Sequence, residues 1–245
     1  MPPAEPAPAE ILPWDSAFWG LAIGRVLGDT LTRERAALVD EWAGVYGVDC
    51  LFFPARADDP ETPLAAEDAG FRLVDVRVRY ERRGTHEPVA EPPPGSATLR
   101  EGRPDDLDEL RRMTAHTYTL SRFFFDPRFP REGCERMFVH WLEESWRDES
   151  VLVGELDGRP VGYLVSRFAD EGRAVSFPLM AIDRDVRGTH VGNALVAHSI
   201  RLLEARGVEH FSFQSQLRNI AMQRVAQRFG YLIAGAELYF HKWYR

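Results

Sequence analysis

Lysine is almost missing from this 245-residue chain: Lys242 stands alone, and every other of the 30 cationic residues is arginine. A phosphate loop of the Walker kind, which ends in Gly-Lys before a Ser or Thr, is therefore excluded. The arginine fork, by contrast, suits phosphate recognition. Cysteine is scarce as well. Cys50 and Cys134 lie far apart with no second pair, which excludes a disulfide framework and a thiolate zinc site and leaves two buried thiols. No stretch approaches the ~18 apolar residues of a membrane-spanning helix. The opening MPPAEPAPAE places Pro and Glu where a secretory signal has positive charge and then an apolar run. It reads as a disordered leader over residues 1–10, and the protein as cytoplasmic with no membrane partner. Cationic excess is also lacking: 38 acidic against 30 basic residues give a net charge of -8, which disfavours nonspecific binding to nucleic acid.

What is present suffices for one large core or two modest ones, with 44% hydrophobic residues. The stretch GTHEPVAEPPPGS, residues 84–96, reads as an interdomain linker, because its prolines and glycines join no regular ladder. Residues 11–83 before it read as a small α/β unit. In that unit LAIGRV and VDCLFF suggest strands, TRERAALVDEWAGVYG a helix with Ala37, Leu38, Trp42 and Val45 at helical spacing, and FRLVDVRVRYERR a half-buried strand. Residues 97–245 form the larger unit. Pro104 opens a helix through DDLDELRRMTAHTY, with acids in its first turn. A loop, LSRFFFDPRFP, leads to the amphipathic helix REGCERMFVHWLEESWR. The turn Asp157-Gly158 joins two strands in a hairpin, AVSFPLMAI is a further strand, and YLIAG with AELYFHKWY is a final pair.

Between them lies the segment that carries chemistry. A strand ends at Ile182, a short loop holds Arg187, Gly188 and Gly192, and a helix begins at once and closes at Gly207. Such a junction aims unpaired main-chain N–H groups and a helix dipole at one place, which holds a diphosphate without a lysine. It is not a dinucleotide fingerprint, since the three-glycine spacing is absent.

On these residues the chain resembles the GNAT acyltransferase superfamily, whose signature [Q/R]xxGx[G/A] stands here as RGTHVG, with Arg187 and Gly192 matching and His190 in place of the usual glycine. The resemblance implies an α/β (α+β) fold, a mixed twisted sheet flanked by helices, preceded by a smaller half-GNAT-like α/β domain. It implies acetyl-CoA as cosubstrate and no metal. The main chain of Met180 and Ile182 would pair with the pantetheine arm, and the amides of Arg187, Gly188, Thr189, His190, Val191 and Gly192 would hold the pyrophosphate. Asn219 matches a position whose side chain touches the coenzyme arm; it is equally a favoured helix N-cap.

Within that superfamily the chain is similar to the bacterial dTDP-fucosamine N-acetyltransferases. The likeness rests on Trp14-Asp15-Ser16-Ala17-Phe18-Trp19-Gly20, on Ser121-Arg122-Phe123 followed by Phe138, Trp141 and Glu143, and on Trp243-Tyr244-Arg245. It implies a nucleotide-linked amino sugar as the small-molecule amine acceptor, met by Arg122, Phe123 and His140, in a monomer or homodimer. Two catalytic features of the family are missing. The tyrosine seven places beyond the asparagine is Ala226, and AVSFPLMAI lacks the strand glutamate, so the acid and base are unassigned; Tyr163, Tyr231, Tyr239 and His241 have no spacing argument. Two rivals stand beside this reading: a CoA-binding or ligand-sensing protein without catalysis, and an acetyltransferase for a peptide, polyamine or antibiotic amine.

Overall fold

A computed structural model of the chain describes residues 7–84 and 89–244. The start of the expected leader, residues 85–88 of the expected linker and Arg245 lie outside these. The chain divides into two compact units. The first holds the chain up to Arg77 with Phe125–Pro127 and the stretch from Ala236 onward, and the second holds Val78–Phe124 and Arg128–Gly235.

In chain order the first unit comprises β1 (Ala9–Ile11), α1 (Pro13–Trp19), β2 (Ile23–Val26), α2 (Arg33–Tyr46), β3 (Cys50–Arg56), α3 (Glu61–Asp68) and the start of β4 (Arg72–Arg83). Residues 9 and 10 therefore belong to a strand, paired with Val26 and Arg25, and not to a leader. Thr32 caps α2 by accepting from the Arg35 amide at 3.2 Å. The buried stripe of α2 is Ala36, Val39 and Ala43, while Leu38 and Val45 are exposed. Of the four residues expected at helical spacing, Trp42 packs against this core, while Ala37, Leu38 and Val45 lie outside it.

The second unit continues through β5 (Thr98–Glu101), α4 (Leu107–Ala115), the single turn α5 (Arg122–Phe125), α6 (Arg131–Asp148), β6 (Ser150–Leu156), β7 (Arg159–Ala169), β8 (Ala174–Ser176), β9 (Met180–Ile182), α7 (Val191–Ala205), β10 (His210–Gln216), α8 (Ile220–Arg228) and the start of β11 (Leu232–Trp243). Its strands run β5-β6-β7-β8-β10-β4, with β9 also on β7. The β5–β6, β6–β7, β7–β8 and β7–β9 pairs are antiparallel and β8 with β10 is parallel, so the sheet is mixed as expected. Asp157 and Gly158 both take positive φ, 50° and 74°, as a two-residue hairpin turn requires. Side chains alternate across β7. Tyr163 meets α4 through Thr114, whereas Leu164 packs in the core with Leu195 of α7, so these two helices cover opposite faces.

Three boundaries differ from the sequence reading. The division between the units falls inside β4, with Val78 and Tyr80 in the second core, and β11 is one 12-residue strand whose later part pairs with β3 from Glu237↔Arg56 to Trp243↔Cys50. A linear split at 84–96 could not anticipate pairing between residues so far apart in sequence. The described part of that segment is pinned, since Val89 packs on the second core and its carbonyl accepts from Arg201 at 3.1 Å. Finally, α4 stops at Ala115, short of Tyr118. The Thr114 and Thr117 hydroxyls donate to the carbonyls of Leu110 and Met113 at 2.7 and 2.6 Å and satisfy the helix end early.

Candidate active site

The strand read as AVSFPLMAI is broken at Phe177–Leu179 into β8 and β9, and the break opens the sheet. β8 keeps its place beside β10 as far as the Phe177 amide, which donates to the Ser212 carbonyl at 3.0 Å. β9 pairs with β7 alone. The carbonyl of Leu179 accepts from Val165 at 2.8 Å and the amide of Asp183 donates to Val161 at 2.9 Å, so alternate residues face β7. By the same alternation the main chains of Met180 and Ile182 face away from it, toward the side that β10 leaves. This is an unpaired strand edge inside a sheet.

The loop beyond β9 is fixed by Asp183. Its Oδ1 accepts from the Asp185 amide at 2.9 Å, and its other oxygen meets Arg112, which also binds Glu109 at 2.7 Å. Burial pushes the Asp183 carboxyl up, but the Asp185 amide and Arg112 outweigh this and hold it below the ordinary aspartate value. Gly188 then turns the chain with φ +80°, a conformation that side chains disfavour. His190, in the signature's glycine place, has φ -80° and needs no unusual backbone. It stands at the N-cap of α7 without a side-chain cap bond. Among the described residues the amides of Gly188, His190, Gly192 and Asn193 make no hydrogen bond, and a Cβ at Gly192 would meet only Ile182 at 3.8 Å. Beside this helix end lies a cavity of ≈ 630 Å³ lined by His190, Asn193 and Ala197 of α7, by Arg228 and Phe229 at the end of α8, and by Val89–Pro93.

Two side chains already touch the open edge. Arg187 Nε donates to the Ile182 carbonyl at 3.1 Å, and its Nη2 to Thr117 Oγ1 at 3.0 Å. The Met180 amide donates to the Tyr118 hydroxyl. Tyr118 lies 3.2 Å from the Tyr163 hydroxyl, which lies 2.8 Å from Thr114 Oγ1. Burial pushes Tyr118 well above the usual phenol value and Tyr163 up to about 12, so both hold their protons at neutral pH. The sequence pattern places Tyr118 at the end of a helix; the tandem Thr114 and Thr117 hydroxyls are the sign that the helix stops before it.

The remaining site residues separate. Asn219 caps α8, its Oδ1 accepting from the Met222 amide and its Nδ2 donating to Ser215 Oγ, both at 3.2 Å. Phe123 is 1% exposed, edge-on to Phe129 with the Arg122 guanidinium 4.2 Å from its ring centre, so it packs the interior and cannot stack an acceptor. His140 is on the surface, 3.4 Å from Glu144 on the next turn of α6. Ala226 is fully buried in the second core together with Tyr231, which meets Phe213 edge-on at 5.0 Å. Tyr239 and His241 belong to the first unit. There His241 contacts Asp126 at 2.7 Å, and Tyr239 accepts from Arg77 at 2.9 Å. Among the described residues no group of three or more His, Cys, Asp or Glu could hold a metal ion, and no helix is long and apolar enough to cross a membrane.

Residues 113–231 match the sequence model of the acetyltransferase (GNAT) family. Over 142 residues the chain is 24% identical to the spore coat polysaccharide biosynthesis protein SpsD of Bacillus subtilis (strain 168); the match covers 57% of this chain and 48% of that protein, about half the relative's length. A GCN5-related N-acetyltransferase from Sphaerobacter thermophilus is similar in fold, with TM-score 0.68 at 17% identity over 97% of this chain and 76% of its own. So is a functionally unknown conserved protein from Staphylococcus epidermidis ATCC 12228, with TM-score 0.66 at 12% identity over 98% of this chain and 92% of its own. At such identities a solved structure speaks for the fold alone. The chain has the GNAT fold, and the match to the acetyltransferase (GNAT) family extends over residues 113–231.

Proposed function

We propose that this chain transfers an acetyl group from acetyl-CoA to the primary amine of a small acceptor, with a nucleotide-linked amino sugar as the acceptor class. One observation carries the reading: the start of α7, with the amides of Gly192 and Asn193 open and no cap bond from His190, lies directly beyond the open edge of β9. The amides at Gly188, His190, Gly192 and Asn193 suit a diphosphate, and the Met180 carbonyl and Ile182 amide, the edge groups that Tyr118 and Arg187 do not meet, suit the amide groups of a pantetheine arm. The cavity beside His190 and Arg228 offers room for the nucleotide end. Direct attack by a bound amine needs no protein nucleophile, because positioning supplies much of the rate and a main-chain amide can stabilise the developing oxyanion.

The sugar acceptor is supported by the polysaccharide-biosynthesis name of the SpsD relative and by the lack of an acid in β8 and β9. A sugar amine is less basic than a lysine and needs a weaker base. Arg122 and His140 are the residues we assign to the acceptor's charged and hydroxyl groups. The burial of Ala226 favours a second reading, a CoA-binding protein without catalysis. Calorimetry with CoA and thiol release from acetyl-CoA with a panel of nucleotide amino sugars separate the two. Turnover supports the enzyme, binding without turnover the second reading, and no binding refutes both.

A further inference from the structure

The hydroxyls of Thr114, Tyr163 and Tyr118 form a buried chain that the proposed function leaves unused. The order of their protons follows from its ends. Thr114 donates its single hydroxyl hydrogen to the Leu110 carbonyl, so its oxygen must accept from Tyr163 at 2.8 Å. Tyr163 has then no hydrogen left, and the 3.2 Å contact must be donated by Tyr118. That distance is long for an O–H···O bond, so the Tyr118–Tyr163 contact is the weakest link of the chain. The Tyr118 oxygen meanwhile accepts from the Met180 amide, and its ring is fixed by stacking on Phe138 with centroids 4.4 Å apart.

Position gives this hydroxyl a task. If a diphosphate sits at residues 188–192, an arm running back along the open edge meets Ile182 first and Met180 next, so its reactive end lies at Met180, where Tyr118 waits. Building on the proposed coenzyme site, we propose that Tyr118 is the acid of the transfer, donating its proton to the departing sulfur, and that Tyr163 and Thr114 are positioning residues that keep the hydroxyl aimed at the Met180 amide. In this step the acceptor nitrogen bonds to the acetyl carbon, the carbon–sulfur bond breaks with its electron pair on sulfur, and the Tyr118 Oη–H proton moves to that sulfur. The proton shed by the nitrogen as it becomes an amide restores the tyrosine through solvent. Loss of hydration keeps Tyr118 protonated and hence able to act as an acid. It takes over the task that Ala226, closed within the core, has no group to perform.

The test is Tyr118→Phe, which retains the ring stacked on Phe138. Binding of CoA and of desulfo-CoA is compared by calorimetry in the full chain. Wild type should favour the thiol about fivefold, the scale of one hydrogen bond, and Tyr118→Phe should lose that preference while binding desulfo-CoA normally. With any acceptor that turns over, kcat should fall on the order of 100-fold with KM for acetyl-CoA little changed. Tyr163→Phe should give a smaller fall in kcat and keep part of the thiol preference. An unaltered thiol preference and kcat in Tyr118→Phe would overturn the inference and leave the coenzyme site standing. Absence of CoA binding in wild type would instead overturn the site itself.

Discussion

Two strand-to-helix junctions lie side by side in the second unit, from β9 into α7 and from β10 into α8, and they end their helices differently. At α8 the Asn219 side chain accepts from the Met222 amide and its own amide group binds Ser215, so the helix start is closed. At α7 the N-cap residue His190 makes no side-chain cap bond, Thr189 Oγ1 accepts only from the Val191 amide at 3.3 Å, and the amides of Gly188, His190, Gly192 and Asn193 stay open. A helix end without a cap forgoes about 1 kcal/mol. Keeping that deficit at one junction and removing it at its neighbour is what the proposed coenzyme site requires, since a bound anion would satisfy the same amides.

The largest test puts charge into that open end. Gly192→Glu places a carboxylate in the first turn of α7, where the dipole favours it by about 0.3–1 kcal/mol and where it repels a diphosphate. Calorimetry should show CoA binding weakened about 30-fold or more, with Tm unchanged or raised. A variant that binds CoA like wild type would break the comparison. Gly192→Ala is the subtler form. Its Cβ has room, meeting only Ile182 at 3.8 Å, so replacing a helical glycine should stabilise the fold by about 0.5–1 kcal/mol and raise Tm by about 2–4 °C. The same methyl obstructs close approach of a phosphate and should weaken CoA about tenfold. A more stable protein with a poorer site is the signature expected of a helix end reserved for a ligand.

The junctions also differ in charge. The loop before α7 hangs on the ionised Asp183, while α8 is capped by a neutral amide. Because the folded carboxyl of Asp183 titrates below its unfolded value, its contribution is complete above about pH 4 and is lost as pH falls through the lowered folded value. Acid should therefore release the Asp185 amide before the Met222 amide, which hydrogen exchange read by NMR between about pH 5 and pH 3 can follow. Asp183→Asn keeps an acceptor for the Asp185 amide but loses the charge facing Arg112. It should abolish that pH dependence and weaken CoA about threefold at neutral pH.

Sequence exposed one of these junctions better than the other, for a physical reason. The α7 site is local: a strand end, a glycine at φ +80°, and a helix closed by Gly207, all within one short stretch. The hairpin at Asp157-Gly158 was legible on the same ground. Pro13 at the start of α1 and the left-handed Gly20 at its end are equally local signs of a helix. The hydroxyl chain was not legible, since Tyr118 and Tyr163 meet only through packing of α4 against β7. Nor was the single course of β11, whose partner β3 lies far away in sequence. The spacing from Asn219 to Ala226 was visible, but not that Ala226 points into the core.

Asn219 supplies the smallest expected effect and the most discriminating one. The family resemblance gives its side chain a contact with the coenzyme arm, yet both of its polar ends are engaged, one by the helix it caps and one by Ser215. If capping is its task, Asn219→Ala leaves the Met222 amide without its partner and should cost about 1 kcal/mol, or about 2–4 °C in Tm. CoA affinity should then change by less than about twofold. Asn219→Asp, an equally good cap with an added charge, should restore Tm. Should Asn219→Ala weaken CoA about tenfold at unchanged Tm, the two helix ends would be partners in one site, and the contrast between a closed junction and an open one would fall.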